Sequence, residues 1–507
     1  MTARMRLGRA LLDVLRRDRS SATELPDEQL MNLPETIVQF GTGALLRGLI
    51  DDAVHGANQR GAHAGRIVAI ASTGSARDQA LREQDGLFTL VVEGIEKGQR
   101  IEEARVVSSL SRAISAADDW DDVLVLARQE SLRFAFSNTT EVGIVDDHVS
   151  RFDDRPPKSF PAKLTRFLAE RARAFDYDPR RGLVVIPCEL IENNGDKLAS
   201  IVLAIASRWR LDGRFARWIE DAVPFCNTLV DRIVPGVPRG EHAAYLSAKL
   251  GYDDALLTTC EPYRLLAIEA SGEVAAALTW AASDDGIIVS PDIGPYRTRK
   301  VHLLNGPHSI MACVAIPMGC ETVRDAITHP AIHQLARHAM MEEIAPVLDV
   351  DGAEEFAEAV LDRFQNPYIR HALIDITLQA TMKMRVRVVP IIQRHAERRG
   401  VVPQSLAFGF AAYLLFMDGR IQEARRALGL DVPADDQGSR VHEHWSSAGS
   451  SVRALVEAAC GDVALWGTDL GAIPGFSDSV TDALQRMRTE GMAAALEHHV
   501  GVLALPA

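Results

Sequence analysis

The chain of 507 residues carries 55 Lys and Arg against 69 Asp and Glu, a formal net charge of −14, with 47% hydrophobic and 24% charged residues. A chain of this length and composition folds into about two to four domains with ample core, which excludes a disulfide-stapled miniprotein and wholesale disorder. The acidic balance argues against binding along a nucleic-acid backbone and in favour of small-molecule partners.

Taken in chain order, the first 20 residues hold six arginines and spell a basic amphipathic helix interrupted by Asp13 and Asp18. They lack the long apolar stretch and small-residue cleavage site of a leader, so residues 1–35 are expected to form an N-terminal extension. Residues 37–40 are a short apolar β-rich run, followed by Gly41-Thr42-Gly43 and then helical apolar spacing as far as Asn58. Further strands are expected at 67–70, after a loop at 60–65, and at 134–136 and 183–186, after helical stretches. Such alternation implies a parallel α/β sheet, and residues 36–290 are assigned to a Rossmann-like dinucleotide-binding domain. The Asp, Gly and Pro cluster at 283–295 marks its end. Beyond it, helical patterns at 321–346, 353–364, 368–384, 404–428 and 478–498 define a mainly helical domain over 291–507, with a surface loop expected at 430–450. The longest apolar run, 406–417, falls short of the roughly 20 residues a membrane-spanning helix needs and is read as a buried helix. No membrane partner is expected, and the spacing carries no signal for an oligomeric state.

The six cysteines, at 188, 226, 260, 313, 320 and 460, form no CxxC pair and no Cys/His spacing suited to zinc. Scattered thiols suit a reducing compartment, so the cytoplasm and no metal are the expectation. His329, His333 and His338 have the i, i+4 flavour of a chelate, but no carboxylate completes an HExxH pattern. His442-Glu443-His444 falls within the expected polar loop.

A Gly-x-Gly turn between a first strand and a helix lets backbone N–H groups approach a pyrophosphate. Here Leu46 stands where a third glycine would be, so the same residues also fit a plain tight turn. No acid occurs between Asn58 and Asp78 to meet a ribose 2′-hydroxyl, and Arg77 is placed to meet a 2′-phosphate or simply solvent. The choice between NAD and NADP stays open on these residues. Further along, the segment from Lys300 to His308 precedes an apolar run. At helical spacing Lys300, Leu304, Asn305 and His308 share an arc of roughly 140°, with His302 outside it and a kink expected at Pro307. A desolvated lysine can serve as general acid or base for a secondary alcohol, with amide and imidazole donors steadying the alkoxide. A capping lysine and a packed core histidine would give the same spacing.

Three stretches together, Gln39-Phe-Gly-Thr-Gly-Ala-Leu-Leu-Arg47, Asn227-Thr-Leu-Val-Asp231-Arg-Ile and the K-x-x-x-x-N-x-x-H segment at 300–308, resemble the long-chain mannitol dehydrogenase family of polyol and uronate oxidoreductases. Within that family the pieces at 136–143, 159–165, 186–195 and 363–367 look most like the tagaturonate reductase branch. The resemblance implies a metal-independent, NAD-linked enzyme acting on a uronate or polyol, with Lys300 as general acid/base and Asn305 and His308 at the oxyanion and substrate. It puts Phe40, Gly41, Gly43 and Arg47 at the cofactor and Ser137, Asn138 and Thr139 at its nicotinamide end, with Asp231 beside the lysine network. Two departures stand out: Glu189-Leu190 replaces the Asp-Asn of polyol members, and Pro307 replaces a small Ser or Ala. A uronate carboxylate calls for a basic contact, for which Arg363, Lys383 and His371 are the candidates, with Arg370 and Arg385 nearby. Fructuronate reductase and polyol 2-dehydrogenase are the enzymatic alternatives, and a catalytically silent dinucleotide sensor the non-enzymatic one.

Overall fold

The computed structural model describes residues 4–17, 23–72, 76–139 and 143–503. They divide into two compact units, one of residues up to 94 together with 100–293, the other of 95–99 together with 294 onward.

Among the described residues eleven strands form: β1 (Glu35–Phe40), β2 (Arg66–Ala71), β3 (Phe88–Glu96), β4 (Gln99–Val107), β5 (Leu110–Ser115), β6 (Phe134–Ser137), β7 (Val184–Pro187), β8 (Thr228–Asp231), β9 (Thr258–Cys260), β10 (Leu265–Glu269) and β11 (Ile287–Ser290). The main sheet has the order β5-β2-β1-β6-β7, all pairs parallel. Its central strands are continuous apolar runs because both faces are covered. Ile37, Ile67, Phe134 and Phe136 enter one core, while Val38, Val68, Ala135 and Val185 enter the other, as the two-residue period of a strand requires. The chain leaves β1 toward β2 and β5, then returns on the far side of β1 to β6 and β7, so the strand order reverses beside β1. A doubly wound sheet binds its ligand outside the carboxyl ends of the strands at such a point.

The four strands expected in the first unit all form. Those missed are the edge strand β5, whose alternation is half polar, and the strands of two smaller sheets, β4-β3-β9 and β11-β10-β8. The N-terminal helix Arg9–Arg17 is amphipathic as read: Leu7, Leu11 and Leu12 are buried against Met31, Leu87, Val91, Val106 and Tyr252.

From residue 294 to 503 no strand forms among the described residues. Gln404–Phe416 is buried along nearly its whole length, which explains its unbroken apolar sequence, and it packs on Gly306–Ala315. Gly409 permits that approach, since a Cβ there would lie 2.5 Å from Ile310 Cβ. Several expected helices are broken into shorter ones. The 321–346 stretch becomes Val323–Thr328, Pro330–His338 and a π turn at Ala339–Ile344, because Pro330 starts a new helix. The expected helix at 368–384 is interrupted by Gln379 with φ 53°, leaving Leu373–Ile376 and Ala380–Arg387. The loop expected at 430–450 is corrected: Gly438–Ala448 is a helix that buries Val441 and Trp445, four residues apart, beneath its polar face.

Candidate active site

In the first unit β1 ends at Gly41, whose φ of 129° suits glycine alone, and whose added Cβ would meet Leu46 Cδ1 at 3.1 Å and the Asn138 carbonyl at 3.3 Å. Gly43 precedes a continuous helix over 44–59 and has nothing within 4 Å of a Cβ, and no side chain caps that helix start. Bare glycine backbone leading to an uncapped helix N-terminus is the arrangement a pyrophosphate requires. The residues present therefore fit a dinucleotide.

Arg47 is placed differently from the expectation of a cofactor contact. It is 1% exposed, donates to the Thr42 carbonyl at 2.6 Å and to Thr258 Oγ1 at 3.1 Å, and lies 5.8 Å from the Phe88 ring centroid. Burial and then the nearby Arg77 lower its guanidinium to about 10. Its hydrogen bonds hold the glycine turn from behind. Phe40 packs its ring on Phe160 and Phe167, with centroids 5.3 and 5.8 Å away. Thr42 donates to buried Asp78 at 3.3 Å. Beneath the turn, Gln39 Nε2 donates to the Gly41 carbonyl at 3.2 Å, while Gln39 Oε1 and both Asp51 carboxyl oxygens are buried without acceptor-side partners. Burial raises Asp51 to about 8, so at neutral pH it is largely a protonated acid facing Gln39.

Ser137, Asn138 and Thr139 follow at the end of β6, paired with β1 as Phe40↔Ser137 and with β7 as Ser137↔Pro187. Asn138 Nδ2 donates to the Cys188 carbonyl at 2.6 Å. Ser137 and Thr139 both bond the carboxylate of Glu189, a residue that sequence reasoning noted only as a departure from a pattern. Asp231 closes β8 opposite Leu265 and is buried.

In the second unit Lys300–Asn305 is a π turn running directly into Gly306–Ala315. The Gly306 N–H reaches back to the Val301 carbonyl, and Pro307 falls in the first turn of the following helix, where a missing N–H costs little. The kink expected at Pro307 is thus realised as a widened turn, and such π bulges are frequent at functional sites. Lys300 and Asn305 open and close it. His302 points away from them and donates from Nδ1 to the Arg387 carbonyl at 2.8 Å. The Arg387 guanidinium donates to the Asn305 carbonyl at 3.4 Å and Ser309 Oγ at 3.2 Å, and burial lowers it to about 10.

His308 stacks on Phe364, 4.2 Å between centroids at 26°, and meets His371 edge-on at 5.3 Å and 79°. Its Nε2 is buried without a hydrogen-bond partner. Burial holds its imidazole well below the usual range, reinforced by His371, Arg363, Arg387 and Lys383. His371 is itself lowered by burial, with Asp375 opposing and Lys383 adding. Lys383 donates to the Ile376 carbonyl at 2.9 Å and is lowered by burial and by Arg387.

The structure thus gathers His308, Arg363, His371 and Lys383 in one electrostatic neighbourhood, although the helix expected to align His371 with Lys383 is broken between them. Arg370 and Arg385 are not brought in: Arg370 is 80% exposed and pairs with Glu321, and Arg385 is exposed. Arg387 was missed, yet its spacing of four from Lys383 on one helix would have pointed to it. Of the histidines set aside as metal candidates, two have other side-chain partners. His338 contacts Ser405 Oγ at 2.9 Å, and His444 lies on a helix, not a loop, and bonds Asp462 at 2.7 Å. Among the described residues, no group of three His, Cys, Asp or Glu is arranged to hold a metal ion.

Comparison with known proteins matches residues 35–282 to the mannitol dehydrogenase Rossmann domain and 292–488 to the mannitol dehydrogenase C-terminal domain. An altronate oxidoreductase of Bacillus subtilis is 41% identical over 467 residues, 92% of this chain and 95% of that one. One from Yersinia enterocolitica is 38% identical over 466 residues, 91% and 96% of the two chains. Among solved structures, Pseudomonas fluorescens mannitol 2-dehydrogenase in ternary complex with NAD and D-mannitol aligns over 99% of this chain and 100% of its own with a TM-score of 0.65 at 22% identity. A D-sorbitol dehydrogenase aligns over 97% of this chain and 100% of its own at 0.75 and 19%. These structural likenesses bear on the fold.

Proposed function

The chain belongs to the mannitol dehydrogenase family, and on that premise we propose that it is an NAD-dependent oxidoreductase that interconverts D-tagaturonate and D-altronate. The observation that carries the substrate class is the basic surround of His308: Arg363, Lys383, His371 and Arg387 act on one buried imidazole. A polyol has no anion to match such a field, whereas a uronate carboxylate does. The relatives named above support the particular uronate.

Bound at the glycine turn, NADH would supply the hydride. Lys300 gives its proton to the ketone oxygen in reduction and takes it back from the alcohol in oxidation. Burial and the surrounding cations hold His308 neutral at working pH, so its unpartnered Nε2 can donate a hydrogen bond to the developing alkoxide beside the Asn305 amide. Arg363 and Lys383 fix the carboxylate, Phe364 fixes the imidazole plane, and Arg387 fixes the turn carrying Asn305. Gly41 and Gly43 admit the pyrophosphate, and Arg47 and Gln39 keep that turn open. All six cysteines are free thiols, which supports a reducing, cytoplasmic setting. No helix of the described residues is long and apolar enough to cross a membrane.

The test is the initial rate of NADH oxidation with tagaturonate, fructuronate and fructose in parallel, repeated with NADPH. Tagaturonate with NADH should give the highest kcat/KM. A preference for fructuronate or fructose would overturn the substrate reading, and a preference for NADPH would overturn the cofactor reading.

A further inference from the structure

Glu189 carries a carboxyl group to which the chemistry above gives no role. It stands just past β7, at the carboxyl end of the main sheet, and is 1% exposed. Ser137 Oγ donates to one of its oxygens at 3.1 Å, and the Thr139 backbone N–H and hydroxyl both donate to the other at 3.0 Å. Its backbone carbonyl accepts from the buried Asn194 amide at 3.0 Å, which anchors the residue to the start of the next helix. The Thr139 backbone N–H can only donate to the carboxyl group, and the two hydroxyls are placed to donate beside it, an environment suited to an anion held by hydroxyl and amide dipoles. Among the described residues, its hydrogen-bonding partners include no Lys, Arg or His. Burial raises the group above its ordinary range, and the donors from Thr139 and Ser137 oppose that rise.

The strand order fixes what lies nearby. In a sheet ordered β5-β2-β1-β6-β7 with its glycine turn after β1, the adenosine half of a dinucleotide lies over β2 and β5 and the nicotinamide half over β6 and β7. The Ser137–Thr139 segment adjoins the turn itself, since the Asn138 N–H donates to the Phe40 carbonyl at 3.4 Å. Ser137 is buried behind the strand end while Thr139 is half-buried, so a Thr139 hydroxyl hydrogen directed at Glu189 orients that hydroxyl's dipole with its negative end away from the carboxyl group.

We propose that Glu189 is a positioning residue that sets the redox preference of the cofactor site: acting through Ser137 and Thr139, its buried negative charge favours the oxidised, positively charged nicotinamide over the reduced, neutral ring. This rests on the dinucleotide reading given above. The two cofactor forms differ by one charge on that ring and are otherwise nearly identical. A nearby fixed charge therefore changes the ratio of their affinities, whereas a misshapen turn weakens both alike.

The experiment measures Kd for NAD+ by calorimetry and for NADH by fluorescence on the full-length protein and its variants, with the melting temperature as a check on folding. Glu189→Gln should weaken NAD+ relative to NADH by roughly tenfold, the order expected for losing one unit charge at this range in a partly shielded site. Glu189→Asp, which keeps the charge, should hold the wild-type ratio even if both constants rise. Thr139→Val, which removes the oriented hydroxyl and leaves Glu189 in place, should lower the ratio in the same direction and carries the test should the Gln variant not fold. A ratio unmoved in the Gln or Val variant, whether both constants shift together or neither does, overturns the proposal and leaves dinucleotide binding standing. A wild-type protein that binds neither form overturns the dinucleotide reading, and the proposal with it.

Discussion

At the scale of the residue, the two buried ionisable groups that matter most are both held neutral, and burial is the first cause in each. His308 is kept uncharged by burial and by the cations around it, which suits a hydrogen-bond donor and disqualifies it as the acid. Proton transfer is accordingly proposed for Lys300. Lys300→Ala should lower kcat for ketone reduction near neutral pH by about 10²–10⁴-fold, the usual worth of a positioned acid, with the Kd for NADH unchanged. Survival of turnover would remove the lysine from the chemistry. Asp51 is kept protonated chiefly by burial, with the neighbouring Asp52 adding, at about 8 against an ordinary 3.8. Between those two values the folded state binds more protons than the unfolded chain, so stability falls as pH rises from about 4 to about 8 and levels off above. Asp51→Asn should flatten that slope, measured as melting temperature at pH 5, 6, 7 and 8. Parallel slopes in variant and wild type would mean that Asp51 does not carry it.

At the scale of the element, the K-x-x-x-x-N-x-x-H segment was legible as helical but not as a π turn. The α-helical arc drawn through Lys300, Asn305 and His308 assumes 100° per residue, and the i+5 bond from Gly306 changes that geometry. Nothing in residues 300–308 announces the bulge except Pro307, whose missing N–H was read as a kink. The helix against which the segment's continuation packs was read correctly from its apolar run, and its one close contact is testable. Gly409→Ala drives a Cβ to 2.5 Å from Ile310 Cβ, a branch point and not a flexible tip. Chemical denaturation should show a loss of about 1–3 kcal/mol, the range for overpacking a core. An unchanged midpoint would mean that the two helices separate without cost. The glycine turn was equally legible, since Gly41 occupies a conformation that only glycine adopts readily. The role of Arg47 was not, because a sequence does not say on which side of a turn a side chain lies.

At the scale of the whole molecule, the composition and the alternation of strands and helices marked an α/β part followed by a helical part. Contact between the N-terminal helix and the first unit's core was not foreseen, because Leu7, Leu11 and Leu12 show only that one face is apolar, not what covers it. The same holds for residues 438–448, whose polar composition hid two buried positions four apart.

The sequence by itself determined the parallel sheet, the glycine turn after its first strand and the helical second part, because each is encoded locally in apolar period or in a conformational demand that one residue type meets. Tertiary structure alone decided which basic residues surround His308. Arg363 lies on the helix Ala353–Phe364, His371 between helices, and Lys383 and Arg387 together on Ala380–Arg387, and a helix break at Gln379 defeats any face drawn from His371 to Lys383 along the chain. It also decided that Arg47 and Glu189 look inward, one holding the turn and the other the strand end beside it, since the direction of a buried polar side chain is set by partners distant in sequence.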